Sequence, residues 1–237
     1  DFKDFVRDLK FDTVKAIPIS ALKSDNIITH SNKTKWFKSE PLLPFLENVE
    51  ITDNEKNFPL RLPVQIVNKF NDKRYYAGTV VSGQISVGSK ITVLPSKETA
   101  KVTDIFCGST HFKTAIREQS ISLTLDKEID LRRGDLITSI NQKSNISNQF
   151  KVLLIWLDKN IGFQSRNYIL KLGSTSTNAQ ITKIDYKINI NNFENLSASQ
   201  FEVNNFYTVN LQTDKPIPFD KFDDCKSRGS FILIDKI

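Results

Sequence analysis

The chain has 237 residues, 39% of them hydrophobic and 25% charged, which excludes a disordered polypeptide and allows a buried core without disulfide or metal staples. Its longest apolar runs, such as Val152 to Leu157, fall far short of the roughly 20 residues that cross a bilayer, and no basic-then-apolar leader stands at the start. Cys107 and Cys225 form no CxxC pair, so neither a disulfide framework nor a zinc site is suggested.

These features predict a cytoplasmic protein of one large or two modest domains with no membrane partner. Lys+Arg 33 exceed Asp+Glu 27, giving a net charge of +6. The basic residues are spread singly, with pairs such as Lys73-Arg74 and Arg132-Arg133 as the longest runs. That is the pattern of a solvated surface rather than of a nucleic-acid face, and nucleic acid is not an expected partner. The chain starts at Asp1 and contains no methionine, so it reads as a piece of a longer protein.

In chain order, Phe2, Phe5, Val6 and Leu9 share one face of a predicted amphipathic helix. Val14 to Ile19 reads as a short strand that Pro18 keeps from being a central one, and Ser24 to Lys35 as a polar loop. Leu42 to Leu46 predicts a short helix capped near Ser39 with Pro44 in its first turn.

From about Ile51 the period changes to two. Ile121, Leu123 and Leu125 alternate with Ser122 and Thr124. Similar runs at Leu62 to Val67, Thr79 to Ile85, Lys90 to Leu94, Lys101 to Phe106 and Asp135 to Ile140 predict a β-barrel or sandwich. Asn141 to Asn148 reads as a linker. A second set of strands follows at Phe150 to Leu157, Tyr168 to Leu172, Ala179 to Ile188, Phe206 to Leu211 and Ser230 to Ile234.

Gly78, Gly83 and Gly88 superficially suggest a phosphate loop, but they lead into the strand Lys90 to Leu94 rather than into a helix N-terminus, and so read as barrel turns and bulges. His30 and His111 have no Cys, Asp or Glu at metal-ligand spacing, so no metal site and no catalytic residue is expected. Asp126, Glu128 and Asp130 interleave with Lys127, Arg132 and Arg133, the pattern of a salt-bridged turn. Lys69 to Tyr76 combines cations with Phe70, Tyr75 and Tyr76; it suits a base-stacking face and an aromatic hairpin equally.

The stretch IPISALKSDNI, Ile17 to Ile27, resembles the last guanine-contacting motif of translation-factor GTPases. AGTVVSGQISVGSKITVLP and RRGDLI resemble the start and end of their second domain. Four segments together resemble, more narrowly, the large GTPase subunit family of bacterial sulfate adenylyltransferase. These are Trp36 with Pro41 to Leu43 and Leu46 to Glu50; Phe58-Pro59 with Pro63 to Gln65 and Val67-Asn68; Leu123 to Leu125 through Glu128 to Asp130 to Arg133 to Asp135; and Gly229 to Asp235.

The resemblance implies a mainly β fold of two consecutive translation-factor-type β-barrels, residues 51–142 and 143–237, preceded by a short α/β remnant of the GTPase domain, residues 1–50. It implies GTP and magnesium bound by a domain upstream, with Ser20, Ala21 and Leu22 meeting the guanine through backbone groups. It implies ATP and sulfate at a smaller partner subunit that forms adenosine 5′-phosphosulfate and pyrophosphate. Ser24 stands where that family has glycine. The alternative is a translation-factor-type GTPase fragment whose barrels bind RNA.

Overall fold

The computed structural model describes residues 11, 13–49, 58–71, 73–141 and 144–235. The stretch Phe2 to Leu9 and the expected boundaries at 50/51 and 142/143 lie outside the described residues. The chain forms two compact units, one through residue 53 and one from residue 54 onward.

In the first unit the expected strand at Val14 to Ile19 does not form. The pairing there is an isolated antiparallel bridge between Ser20 and Asp25, since Pro18 lacks the donor a ladder needs. A 3-10 turn spans Asn32–Thr34 with Ser31 as its cap. Helix α1 (Leu42–Asn48) begins after Pro41 rather than near Ser39, and Pro41 offers no side-chain cap. Its first amides are satisfied otherwise: Leu42 N–H donates to the Asn26 carbonyl at 3.0 Å and Leu43 N–H to that of Ile27 at 2.8 Å. Pro44 falls in the first turn, where a missing N–H costs little.

The second unit is mainly β. Its first sheet comprises β1 (Leu62–Phe70), β2 (Lys73–Thr79), β3 (Gln84–Ser86), β4 (Lys90–Leu94), β5 (Thr99–Cys107), β6 (Thr110–His111), β7 (Thr114–Ile116), β8 (Ser120–Leu125) and β9 (Leu136–Ser139), with β3 and β7 forming a separate ribbon. β4 pairs with β9, β9 with β1, β1 with β2, β2 with β8, β8 with β5, and β5 again with β4, so the sheet closes into a barrel. The inward residues, among them Leu62, Val64, Ile91, Val102, Ile105 and Leu123, are buried together; each such side chain contributes about 1.5–3 kcal/mol of transfer free energy.

The run Thr79 to Ile85 is not one strand. β2 ends at Thr79 and β3 begins at Gln84, because Val81 N–H turns to the Arg61 carbonyl and Gly83 takes φ +67°. At Gly78 a Cβ would lie 2.3 Å from the Pro63 carbonyl oxygen, so this glycine lets two barrel strands approach.

The remaining strands are β10 (Asn145–Trp156), β11 (Gly162–Phe163), β12 (Asn167–Leu172), β13 (Thr175–Ile188), β14 (Asn195–Leu196), β15 (Gln200–Phe201), β16 (Asn205–Phe219) and β17 (Ile232–Asp235), of which β11 and β15 pair as a separate ribbon and the others form the second sheet, with the one-turn helix α2 (Lys226–Gly229) before the last strand. The main path runs β10, β16, β13, β12, β17. Every pairing on it is antiparallel. The expected linker at Asn141 to Asn148 is strand from Asn145 on, because Asn145, Ile146 and Ser147 pair with Phe219, Pro218 and Ile217. A partner strand overrides the turn-like composition. This sheet wraps its own core, in which Trp156 stacks on Phe201 at 5.0 Å between centroids and Tyr207 meets Phe201 edge-on at 4.9 Å. Among the described residues no helix is long and apolar enough to cross a membrane.

Candidate functional site

The sequence-predicted contact residues Ser20, Ala21 and Leu22 lie on one tight loop. Ser20 N–H donates to the Asp25 carbonyl at 3.2 Å, Asp25 N–H to that of Ser20 at 3.1 Å, and Ser24 N–H to that of Ala21 at 3.4 Å. Ser24 adopts φ +55°, the left-handed conformation that glycine tolerates best. The Leu22 side chain is 94% exposed. Among the described residues no backbone bond uses the Ala21 or Leu22 N–H, leaving donors on a fixed turn for a planar acceptor.

What fixes that turn is Asn26, a residue the sequence did not single out. It is fully buried and takes φ +54°. Its amide nitrogen donates to the Pro18 carbonyl and to Thr34 Oγ1, both at 2.7 Å, and its side-chain oxygen accepts Ser31 N–H at 2.7 Å. The loop's two flanks are thereby tied through one amide. Asp25 completes the clamp, accepting Ser31 Oγ–H at 2.7 Å and pairing with Lys33 Nζ at 3.0 Å. The Ser31 hydrogen bond and then Lys33 hold its carboxyl below the ordinary carboxylate value. The only signal in the sequence was an Asp-Asn pair in a polar run, which any turn also shows.

The other candidates take ordinary structural roles. Asp130 pairs with Arg132 at 2.6 Å and Glu128 meets Arg74 at 3.7 Å, the salt-bridged turn expected there. Burial pushes the Asp135 carboxyl up, and it accepts the Arg132 backbone N–H at 2.8 Å within this turn. Lys69 to Tyr76 is the β1–β2 hairpin. Tyr75 stands edge-on to Phe106 at 5.8 Å, and Phe106 in turn meets His111. Tyr76 is buried, so only Tyr75 of the two tyrosines has a face to offer a base. Among the described residues no cluster of His, Cys, Asp or Glu is arranged to hold a metal.

A second feature unforeseen from the sequence joins the two sheets. Arg61, just before β1, donates Nε–H to Asp220 Oδ2 at 2.8 Å and an Nη2–H to Oδ1 at 2.9 Å, across 159 residues. The side chains are only 5% and 8% exposed. Arg61 also donates to the Leu60 carbonyl, and Thr175 Oγ1, at the start of β13, donates to the Gly134 carbonyl, just before β9, at 2.7 Å. This bidentate, desolvated pair fixes one sheet against the other.

Residues 149–237 match the protein family described as GTP-eEF1A C-terminal domain-like. The whole chain is 34% identical, over 238 residues, to sulfate adenylyltransferase subunit 1 of Aeromonas salmonicida (strain A449). It is 35% identical over 238 residues to the same subunit of Alteromonas mediterranea. In each case it covers 50% of the relative; the chain spans about half the length of these proteins. It is 34% identical to the bifunctional enzyme NodQ of Rhizobium sp. (strain N33), covering 37% of it. The fold is similar to the crystal structure of sup35 complexed with GDP, at a TM-score of 0.73 and 18% identity, over 92% of this chain and 55% of that one. The fold is thus shared with that structure, and the relatives matched over the whole of this chain are sulfate adenylyltransferase subunits 1 and NodQ.

Proposed function

We propose, for a chain related over its whole length to sulfate adenylyltransferase subunit 1, that it is the barrel-bearing part of such a subunit. In this reading the intact subunit hydrolyses GTP, and that hydrolysis drives formation of adenosine 5′-phosphosulfate and pyrophosphate from ATP and sulfate at a smaller partner subunit, in the cytoplasm. The observation that carries it is the relationship over the whole of this chain, since a shared fold alone does not decide function.

The chain's own part in holding GTP is the loop of Ser20, Ala21 and Leu22. The free N–H groups of Ala21 and Leu22 suit the carbonyl edge of a guanine, and the Asn26 clamp pre-sets the turn so that little ordering is left for binding. The phosphates and magnesium would be held by residues preceding Asp1, because no phosphate-binding loop, magnesium-linked switch or Asn-Lys-x-Asp motif occurs among these 237 residues. Phosphoryl transfer depends on that electrostatic cradle.

The test is reconstitution. The full-length subunit mixed with its small partner should release pyrophosphate from ATP and sulfate faster when GTP is present, and the 237-residue chain alone should not turn over GTP. A purified, folded complex indifferent to GTP would refute the reading.

A further inference from the structure

The loop that carries Ser20, Ala21 and Leu22 is joined to helix α1 by more than chain connectivity. The bridge between Ser20 and Asp25 places Asn26 directly after the residue that closes the loop. The carbonyls of Asn26 and Ile27 then accept the first two amides of α1, Leu42 N–H at 3.0 Å and Leu43 N–H at 2.8 Å. Pro41 gives that helix no side-chain cap, so these carbonyls satisfy donors that a capping side chain would otherwise take.

The segment that supplies those carbonyls is held in a shape it would not keep by itself. Ser24 and Asn26 both take left-handed φ angles, +55° and +54°, and residues in that region persist where their surroundings over-determine them. For Asn26 the surroundings are the hydrogen bonds of its buried amide to the Pro18 carbonyl, to Thr34 Oγ1 and from Ser31 N–H. Pro18 precedes the loop, whereas Ser31 and Thr34 follow it. One side chain therefore closes both flanks of the loop while the carbonyl of the same residue holds the helix. Were Asn26 to relax, loop and helix start would loosen together.

We propose that Asn26 is a positioning residue that couples nucleotide binding at the loop of Ser20 to Leu22 to the start of α1, the last element described before β1. This rests on the assignment of that loop to guanine made above. A base seated on the Ala21 and Leu22 N–H groups binds the ordered loop better than the relaxed one, and so shifts the population toward the form in which the Asn26 carbonyl holds Leu42. Linkage makes the effect reciprocal: weakening the hold on α1 weakens nucleotide binding by the same factor. The guanine end of the nucleotide is thereby read out at the helix that leads toward the barrel.

The experiment uses the full-length subunit with GDP as the probe. Saturating GDP should slow hydrogen exchange at the Leu42 and Leu43 amides at least about 10-fold, as when a local opening is suppressed. Thr34→Val removes one partner of Asn26 at nearly constant volume; it should cut that protection and raise the Kd for GDP about 5- to 10-fold, within the usual range of coupling between sites. Leu42→Pro should raise it similarly without touching the nucleotide, because proline suits the first helical position and deletes the N–H that the Asn26 carbonyl accepts. Asn48→Ala breaks the bond from the last residue of α1 to Glu40 and should bind GDP as the parent does. Leu42 and Leu43 amides that exchange equally fast in the GDP-bound and the nucleotide-free subunit overturn the coupling and leave the guanine reading standing, whereas a folded subunit that binds no GDP overturns both. Parental affinity in Leu42→Pro also overturns the coupling, and so does an equal loss in Asn48→Ala, which reports helix stability at large. Exchange in the parent decides the matter even where a variant fails to fold.

Discussion

Arg61→Ala and Asp220→Ala both break the joint between the sheets, but they should not be equally harmful. The pair is bidentate at 2.8 and 2.9 Å and nearly desolvated, so removing one partner takes the counter-charge from a buried ion, at a cost of about 3–5 kcal/mol. Asp220 also opposes the burial penalty on Arg228, whereas Arg61 adds to it. Without Arg61, Asp220 still has a buried cation beside it; without Asp220, two buried guanidinium groups lose their common counter-charge. Asp220→Ala should therefore be the more destabilising, lowering the melting temperature on the order of 10 °C at about 2–4 °C per kcal/mol for a unit of this size. The double variant Arg61→Met/Asp220→Leu should recover much of the loss, because an apolar pair of similar volume removes the desolvation penalty along with the attraction. Urea unfolding of the four proteins measures this. Single variants within about 1 kcal/mol of the parent, or Arg61→Ala worse than Asp220→Ala, would refute the reasoning, since exposed pairs behave in the first way.

Gly162→Ala should cost about 1–3 kcal/mol by overpacking, because a Cβ there would meet Trp156 ring atoms at 2.4 Å and Phe201 at 3.0 Å; a red shift of Trp156 emission reports the broken stack, and an unchanged spectrum in a folded variant contradicts it. Asn26→Ala should cost about 1–3 kcal/mol by orphaning the groups its side chain now binds, seen as faster protease cleavage between Pro18 and Thr34 with the second unit's unfolding unaltered. Asp25 contributes stability that is full above its unfolded value of 3.8 and is lost as the pH falls through its lowered folded value; acid titration of stability should show that loss, and Asp25→Asn should abolish it.

The strands were legible from alternation or from β-branched runs, since β8 alternates inside and outside while β4 is buried at its last four positions. Ile121, Leu123 and Leu125 declare β8, and Lys90 to Leu94 matches β4 to the residue. Pairing was not legible, since nothing local to Leu62 says that its neighbour is Ile137. The Asn145 to Asn148 segment misled for the same reason: its composition is that of a turn, and only the strand at Ile217 to Phe219 makes it a ladder. In the first unit the loop of Ser20 to Leu22 was found through its resemblance to a known motif, but its support was not. Among the described asparagines Asn26 is set apart by its full burial, which is not written in the residue type. Arg61 and Asp220 are ordinary charged residues 159 positions apart. Their importance arises entirely from the desolvation that the fold imposes.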